Sequence, residues 1–509
     1  MRQGSGNRWA VLVVLSAALA VISLDNTIVN VALPALQEEL KATTSQLQWV
    51  VDAYSVMFAG TLLLAGSLGD RFGRRRALLI GLVIFGVGSL MAGFANTALV
   101  LTMWRAIMGI GGAFIMPSTL SILVQVFSDR RERAQAIGIW AAVAGAAVAI
   151  GPIVGGFLIE YVSWHAIFWV NPPLVVLAIL ATLWLVPESR DPSKPRLDPL
   201  GAVLSTIGLV ALVVTVIEVP DSGINTLTIT SSVCAALFLS AFVWWELRAP
   251  RPMLPMSLFR NRLFTISITC VALVYGALMG MMFFLPQFLQ LVQGNTPLES
   301  GIAVMPGAGG LLVASLFSPR IAERIGTRST VIIGLVMVTA GLAMSAFLTA
   351  GTAYWYIGCS LGLMGLGLGM VLPQATNGIL ASVPTERAGM GSAVNDGMAE
   401  LGGSLGVAIL GSLLALGYRN EIESQIAAAG DAINAIPANV VEAVRESLAA
   451  GVLAVQQLPP DLATPIREVA GNAFVAGMTT ALLVAAVITL VGVVLAWWLF
   501  PSRVERVEE

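Results

Sequence analysis

Charge is scarce in this sequence, and so are the residue types that usually build metal centres and disulfide frameworks. Only 11% of the 509 residues are Asp, Glu, Lys or Arg, against roughly 25% in a soluble globular domain. There are three cysteines and one histidine. No G-x-x-x-x-G-K-[ST] phosphate loop occurs, so nucleotide hydrolysis is not predicted. We predict no cofactor, no metal site, no nucleic-acid partner and no enzymatic activity.

The chain contains many long apolar runs instead of charged residues. Hydrophobic residues make up 57% of the chain and the mean hydropathy is +0.87. A helix of about 20 apolar residues crosses the roughly 30 Å of bilayer hydrocarbon. Runs of this length predict fourteen spans, at residues 9–33, 47–68, 77–95, 98–124, 134–161, 164–186, 200–219, 226–245, 263–291, 300–321, 329–349, 354–381, 391–416 and 472–500. The chain is therefore predicted to be an all-α polytopic membrane protein.

Orientation follows from the positive residues, which concentrate in cytoplasmic loops. With both termini inside, 22 of the 27 Lys and Arg residues fall in cytoplasmic segments. The first span has some features of a signal peptide, but its apolar run is too long, so we interpret it as retained. The external segment 417–471 alternates small apolar residues with Glu, Asp and Gln. That pattern predicts short amphipathic helices lying on the membrane surface.

The chain contains an internal repeat. "GDRFGRR" (69–75) returns as "AERIGTR" (322–328), and "MGIGGAFIMP" (108–117) returns as "MGLGLGMVLP" (364–373), each displaced by about 255 positions. The repeat predicts two six-helix bundles with two helices inserted between them. The predicted domains are residues 1–190, 191–262 and 263–509. Parallel repeats of this kind are typical of transporters that open to each side in turn.

Four motifs carry a family resemblance: "LDNTIVNVALP" in the first span, "GSLGDRFGRRRAL" after the second, "LTMWRAIMGIGG" in the fourth and "GPIVGGFL" in the fifth. They resemble, respectively, the span-one, loop, span-four arginine and span-five antiporter motifs of the major facilitator superfamily. More narrowly, the chain is similar to the fourteen-helix drug:proton antiporters, which include quaternary-ammonium and multidrug efflux pumps. The resemblance implies the major facilitator fold and export driven by protons.

The loop motif holds Gly66, Asp70, Arg71, Gly73 and Arg74 in a short turn. Glycine permits the sharp bend, and the charges are suited to pairing with a neighbouring helix end. We predict a gating role, in which these contacts hold one conformation shut. The alternative is that the arginines only anchor the topology.

In the antiporter motif, Gly151, Pro152, Gly155 and Gly156 remove side-chain bulk and allow another helix to approach closely. By resemblance this helix limits proton leak. Close packing without any role in coupling is the alternative.

Buried charges mark the predicted coupling site. Asp25 and Arg105 each lie eight residues from the outer end of a span, so both are about 12 Å deep. A charge at that depth is costly and is usually retained for a function. Burial favours the neutral form of a carboxyl group, whereas a nearby arginine favours the charged form. We predict that Asp25 alternates between pairing with Arg105 and being protonated. A fixed ion pair that holds the helices together is the alternative.

Three further acids are candidates for a second proton or a cationic substrate. Asp52 is about five residues into the second span, and Asp396 and Glu400 lie one turn apart in the thirteenth. A proton and a lipophilic cation would compete for the same negative charge. His165 begins the sixth span, where an ordinary interfacial histidine or a proton-handling residue is expected.

The sequence thus predicts a proton-coupled exporter of hydrophobic, cationic compounds in a bacterial cell membrane. The partners would be such drugs, protons and the lipid bilayer. A dedicated exporter of one antibiotic or lipid, a proton-coupled nutrient importer and a non-transporting sensor are the alternatives.

Overall fold

The computed structural model describes residues 5–127, 129–190, 198–249, 252, 254–383, 388–429, 436–455 and 458–501. These residues form helices and the connections between them. The helices are α1 (Ser5–Leu40), α2 (Thr44–Phe72), α3 (Arg74–Ala92), α4 (Ala98–Val126), α5 (Arg130–Tyr161), α6 (Ala166–Trp169), α7 (Asn171–Leu185), α8 (Pro199–Ser222), α9 (Thr226–Arg248), α10 (Arg262–Gln287), α11 (Pro297–Ala303), α12 (Met305–Ile325), α13 (Thr327–Ser345), α14 (Tyr354–Ala381), α15 (Ala388–Ala429), α16 (Ala438–Glu446), α17 (Leu448–Val455) and α18 (Pro460–Leu499).

Within the described residues, fourteen helices are long and apolar enough to cross a membrane. Two of these spans are interrupted once, because α6 and α7 form one span and α11 and α12 form another. The remaining helices, α16 and α17, are too short to be spans. All fourteen predicted spans are therefore confirmed, and their ends differ from the prediction mainly where helices continue beyond the apolar run.

The N-terminal half (α1–α7) and the C-terminal half (α10–α18) use the same helix pairings. In the first, α1 packs on α4, α5 and α7, α2 packs on α4, and α3 packs on α4 and α7. In the second, α10 packs on α14, α15 and α18, α12 packs on α14, and α13 packs on α14 and α18. This correspondence confirms the predicted repeat. Between the halves, α8 packs on α2, α15 and α9.

The repeat extends to single residues. Gly73 and Gly326, 253 positions apart, both have positive φ, at 127° and 88°, where the chain turns sharply between two helices. A Cβ on Gly111 would meet the Gly81 carbonyl at 2.9 Å, and one on Gly367 would meet the Gly334 carbonyl. Small residues at matching positions thus bring matching helices into backbone contact.

The two ends of the helix bundle carry different features, and we call them the arginine side and the hairpin side. The arginine side carries the α2–α3 turn, and α1 begins there, since Arg8 binds Glu132 at 2.8 Å next to the start of α5. The hairpin side carries α16 and α17.

The hairpin side differs from the sequence prediction. The thirteenth span was expected to end at residue 416, but α15 continues to Ala429, and α18 begins at Pro460 rather than near residue 472. Two short helices do occur in the segment, as predicted. However, α17 buries Leu448 and Val452 and packs on α18 and α1, so protein rather than membrane surface covers it. Residues 430–435 lie outside the described residues.

Candidate functional site

A buried ion pair lies at the centre of the N-terminal half. Arg105 on α4 donates from Nη1 to Oδ2 of Asp25 on α1, at 2.5 Å. The side chains are 1% and 0% exposed. The structure thus brings together the two residues that the sequence places at one depth. An isolated ion at this position would be very costly, so each charge depends on the other.

Neutral groups form further hydrogen bonds with both members of the ion pair. Asn171 on α7 donates to the second oxygen of Asp25 at 2.8 Å and to the Ser89 hydroxyl at 3.0 Å. Arg105 also donates from Nε to the Val50 carbonyl at 3.1 Å. Charge-assisted bonds of this kind fix the rotamers of both partners. Four helices of the N-terminal half therefore hold the pair in one geometry.

Aromatic stacking supports Arg105 from α2. The guanidinium carbon lies 4.6 Å from the centre of the Tyr54 ring, a cation–π distance. Gly109, one turn after Arg105, makes this possible, because a Cβ there would collide with the Tyr54 carbonyl. Sequence reasoning missed Tyr54, Ser89 and Asn171. Only Asn171 gave a signal, as an amide in an apolar span just before two prolines.

Glu400 on α15 faces the N-terminal half. Asn26, the residue after Asp25, donates from Nδ2 to Oε1 of Glu400 at 3.1 Å. Glu400 and Asp396 are both half-buried, unlike the fully buried Asp25. Asp396 accepts from Asn395 at 3.1 Å, and Asn395 accepts from Thr376 at 2.9 Å. The α15 acids are thus more accessible than the α1 acid, and α1 links Glu400 to the ion pair.

Asp52 lies apart from this cluster, between α2 and α15. It is 0% exposed, and neither carboxyl oxygen has a hydrogen-bond partner among the described residues. Ser404 of α15 lies beside it, itself 1% exposed. The structure therefore places Asp52 in the contact between the two halves rather than with Asp25.

The residues of the loop motif contact other residues of the N-terminal half. Asp70 and Arg74 form an ion pair at 2.7 Å across the bend at Gly73, and Arg74 reaches Gln125 on α4 at 3.1 Å. Gly66 lies opposite Pro117 of α4, with 3.7 Å available for an added Cβ. These contacts join α2, α3 and α4 into one unit on the arginine side. The predicted gating role stays a prediction.

Glu188, which sequence reasoning did not consider, completes the arginine-side turn. Its Oε1 accepts from the backbone N–H of Arg75 at 3.1 Å, at the start of α3, where unpaired N–H groups attract an acid. Its Oε2 lies 3.7 Å from Nε of Arg76. Arg71 instead lies over the Phe72 ring at 5.4 Å. The arginines of this turn thus have different partners.

The antiporter motif has two faces. A Cβ on Gly151 would collide with Thr27, and one on Gly155 would meet Ile28 Cγ1 at 2.7 Å, so these glycines seat α5 on α1. Gly156 faces the other half, where an added Cβ would collide with the Pro297 carbonyl of α11. Reciprocally, Gly301 of α11 lies against the Pro152 carbonyl. The motif therefore both packs its own half and closes the contact with the other.

Two acids at the ends of spans, Glu160 and Glu246, accept hydrogen bonds from backbone N–H groups of other segments. Glu160 is exposed but accepts from the Leu298 N–H of α11 at 3.1 Å, so it joins the halves on the hairpin side. Glu246 is 2% exposed and accepts from the Leu254 N–H at 3.1 Å. His165 stacks on Trp164, with ring centres 3.8 Å apart.

Comparison with known proteins identifies the family. Residues 15–407 match the model of the Major Facilitator Superfamily. The chain belongs to this family. This major facilitator protein is accordingly a multi-pass membrane transporter and not an enzyme, and the predicted family and fold class are confirmed.

Curated relatives of this transporter include export proteins. It is 35% identical over 486 residues to the multidrug efflux pump LfrA of Mycolicibacterium smegmatis, covering 95% of this chain and 94% of that protein. It is 31% identical over 508 residues to the tetracenomycin C resistance and export protein of Streptomyces glaucescens, covering 98% and 93%.

A solved structure shares the fold. A bacterial homologue of the human lysosomal transporter Spinster, in an inward-facing and unoccupied conformation, matches with a TM-score of 0.65. The alignment covers 97% of this chain and 99% of that one, at 18% identity. At this identity, the likeness shows the fold alone.

Proposed function

We propose that this transporter exports lipophilic, cationic compounds across a bacterial cell membrane in exchange for protons. The observation that carries the proposal is the link through α1: Asp25 holds Arg105, and the adjacent Asn26 holds Glu400 of the other half. A change in the charge of either acid therefore alters the contacts of one short stretch of α1, namely Asp25 and Asn26. This is the arrangement that competition between a proton and a cation requires.

The exchange can be described in terms of these residues. Protonation of Asp25 removes the attraction for Arg105, and Asn171 retains the neutral carboxyl group as a hydrogen-bond partner. Glu400, half-buried and facing the other half, offers its charge to a cation. For one proton exchanged for one monovalent cation, no net charge crosses the membrane, so the pH difference supplies the driving force. Each pH unit supplies about 1.4 kcal/mol, which supports a roughly tenfold gradient of substrate.

The direction of transport follows from the predicted topology and the relatives. We place both termini and the arginine side in the cytoplasm, as the distribution of Lys and Arg favours. The loop motif would then hold α2, α3 and α4 together during each transition. The Gly156 and Gly301 contacts would close the hairpin side against proton leak. Relatives named as a multidrug efflux pump and as an export protein support outward transport.

The test is ethidium efflux from energised cells, with and without an uncoupler. Wild-type efflux should be abolished by the uncoupler, and Asp25→Asn should abolish it without an uncoupler while the protein remains in the membrane. Glu423→Gln, which removes an exposed acid on the hairpin side, is the matched control and should transport normally. Efflux that persists in Asp25→Asn would show that Asp25 has only a structural role, as one partner of an ion pair.

A dedicated exporter of one antibiotic is the second candidate, favoured by the relative that is named for tetracenomycin C. A panel of lipophilic cations and neutral antibiotics separates the two functions. Efflux of several unrelated cations supports the broad pump. Efflux of a single compound supports the dedicated one, and accumulation of a compound inside the cell would indicate an importer.

A further inference from the structure

Gln48 joins the two halves through a buried amide. It lies on α2, is 1% exposed, and donates from Nε2 to the carbonyl oxygens of Val407 and Ala408 on α15, both at 3.1 Å. Gly411 leaves the room for it, because an added Cβ would collide with the same nitrogen. Two hydrogen bonds to the main chain of the other half are thus made by one side chain.

The internal repeat gives this contact a counterpart. Displaced by 253 positions, Gln48 corresponds to Gly301, and the two helices begin alike, with capping boxes at Thr43 and Thr296. Gly301 packs on α5, at Pro152 of the antiporter motif. The α2–α15 contact is therefore the equivalent of the α5–α11 contact. Glycine packed against backbone closes the α5–α11 contact, and the amide of Gln48 closes the α2–α15 contact.

Asp52 lies one turn deeper than Gln48 on the same face of α2. From α15 it faces Ser404. On the α8 side, the apolar Val213 and Ile217 pack with Val56 and Ala408 and contribute no charge. On α4, Arg105 is bound by Asp25 and the Val50 carbonyl. Asp52 thus lies in a fully buried contact between the halves, with Gln48 between it and the hairpin side.

We infer that Gln48 is a latch for the α2–α15 contact and keeps the Asp52 carboxyl group from solution on the hairpin side. It is a positioning residue, because it touches neither proton nor substrate. When the halves separate there, the two amide bonds break and water reaches Asp52. The shielding of Asp52 rests on the proposed proton coupling, whereas the latch itself does not.

The first experiment measures opening directly. In a background without the three natural cysteines, Ser404→Cys reports access to the contact through its rate of modification by a charged thiol reagent added to each membrane face. Gln48→Met, similar in shape but without the amide, should raise the rate about tenfold from the hairpin side, as expected for loss of two hydrogen bonds. Gln48→Asn, which keeps a shorter amide, should raise it less, and it serves as the reporter variant if Gln48→Met folds poorly.

The control is Gln287→Met. Gln287 is also buried on the hairpin side, at 3% exposure, but its amide binds the Phe283 carbonyl of its own helix at 2.7 Å. It should leave the rate at residue 404 unchanged. An unchanged rate in both Gln48 variants, or an equal rise in the control, overturns the latch.

The second experiment tests the shielding of Asp52. In proteoliposomes without substrate, Gln48→Met should conduct more protons than the wild type, and adding Asp52→Asn should remove the excess. A leak that persists in the double variant, or no leak despite faster modification, overturns the shielding. If wild-type efflux is insensitive to an uncoupler but Gln48→Met still speeds modification, the proposed function fails and the latch stands.

Discussion

The two halves of this transporter share a packing scheme and differ in where they place charge. Gly109 and Gly365 both bring a helix onto its neighbour, against Tyr54 and Gly307 respectively. Near the first contact lies the Asp25–Arg105 pair. At the matching positions of the C-terminal half, 252 and 256 residues later, stand Ala277 and Leu361. The scaffold is duplicated, but the ion pair is not.

The difference is reciprocal. Both halves seat a helix through a glycine, since Gly406 of α15 packs on Gly276 of α10 and Gly155 of α5 packs on Ile28 of α1. The acids Asp396 and Glu400 of α15 have no counterpart on α5, which carries no Asp or Glu between Glu132 and Glu160. The N-terminal half therefore holds its buried charges on α1, α2 and α4, and the C-terminal half holds its acids on α15.

Close helix packing and buried charge are therefore distributed separately in this fold. Glycine contacts recur because both halves must bring the same helices together. Charges do not recur, because each buried charge is costly. Within the antiporter motif, Gly151 and Gly155 pack on α1 of the same half, whereas Gly156 and Pro152 contact α11 of the other half.

The largest effect is expected from giving the N-terminal half the residue of its counterpart. Arg105→Leu copies Leu361 and leaves Asp25 buried without its partner. Removing one partner of a buried pair costs about 3–5 kcal/mol. The apparent melting temperature and the folded yield of the purified protein should both fall sharply.

The matched variant is Asp25→Ala combined with Arg105→Leu, which copies Ala277 and Leu361. Removing both charges should restore most of the stability, while uncoupler-sensitive efflux stays absent. Transport by this double variant would contradict a coupling role for the pair and break the contrast between the halves.

The next largest effect concerns the shared glycines. Gly155→Ala and Gly406→Ala each force a methyl group against the neighbouring helix, and overpacking costs about 1–3 kcal/mol. Both should lower the melting temperature by similar amounts. Gly309→Ala is the control, since an added Cβ there has nothing within 4 Å. An effect limited to Gly155 would show that the halves are not equivalent in packing.

A smaller effect is expected at Glu400. Glu400→Gln keeps an acceptor for Asn26 but removes the charge, so the affinity for ethidium should fall about tenfold. Wild-type affinity should weaken as the pH falls, because protonation neutralises the carboxylate, and the variant should lose this pH dependence. Fluorescence titration measures both. Equal pH dependence in the two proteins would assign cation binding to another acid, with Asp396 the nearest candidate.

The smallest effect is expected from removing the N-terminal caps of α2 and α11. Thr43 and Thr296 cap α2 and α11, accepting from the N–H groups of Gln46 at 3.3 Å and Glu299 at 3.2 Å. Thr43→Ala and Thr296→Ala should each cost about 1 kcal/mol of stability. Clearly unequal losses in thermal unfolding would limit the equivalence of the halves to their membrane-buried parts.

Much of the fold could be predicted from the chain alone. Fourteen apolar runs and two recurring motifs sufficed for the spans and the repeat, because hydrocarbon thickness sets the length of a span. Helix ends outside the membrane were predicted less well, as α15 and α18 show, since water and protein permit a helix to continue without apolar residues. The pairing of Asp25 with Arg105 followed from depth, because helical rise relates position to depth.

The partners of the site were harder to predict. Nothing local distinguishes Tyr54 and Gln48 from other residues of these helices, and Asn171 gave only the signal of an amide just before two prolines. Their importance comes from which helix lies opposite, and that depends on the packing of many helices at once. The predicted boundary between residues 190 and 191 adjoins residues 191–197, which lie outside the described residues, so the domain bounds stay a prediction.

Apolar length, glycine spacing and charge depth are local properties, so they identify this chain as a duplicated, fourteen-span membrane protein with a few costly charges, two of them at one depth. The packing of the helices determines which other groups meet those charges. It places Asn171 on Asp25, brings Glu400 to Asn26, and encloses Asp52 between the halves behind Gln48. The reason is physical: a residue's burial and partners depend on the surfaces of other helices, and those surfaces come together only when the whole bundle is assembled.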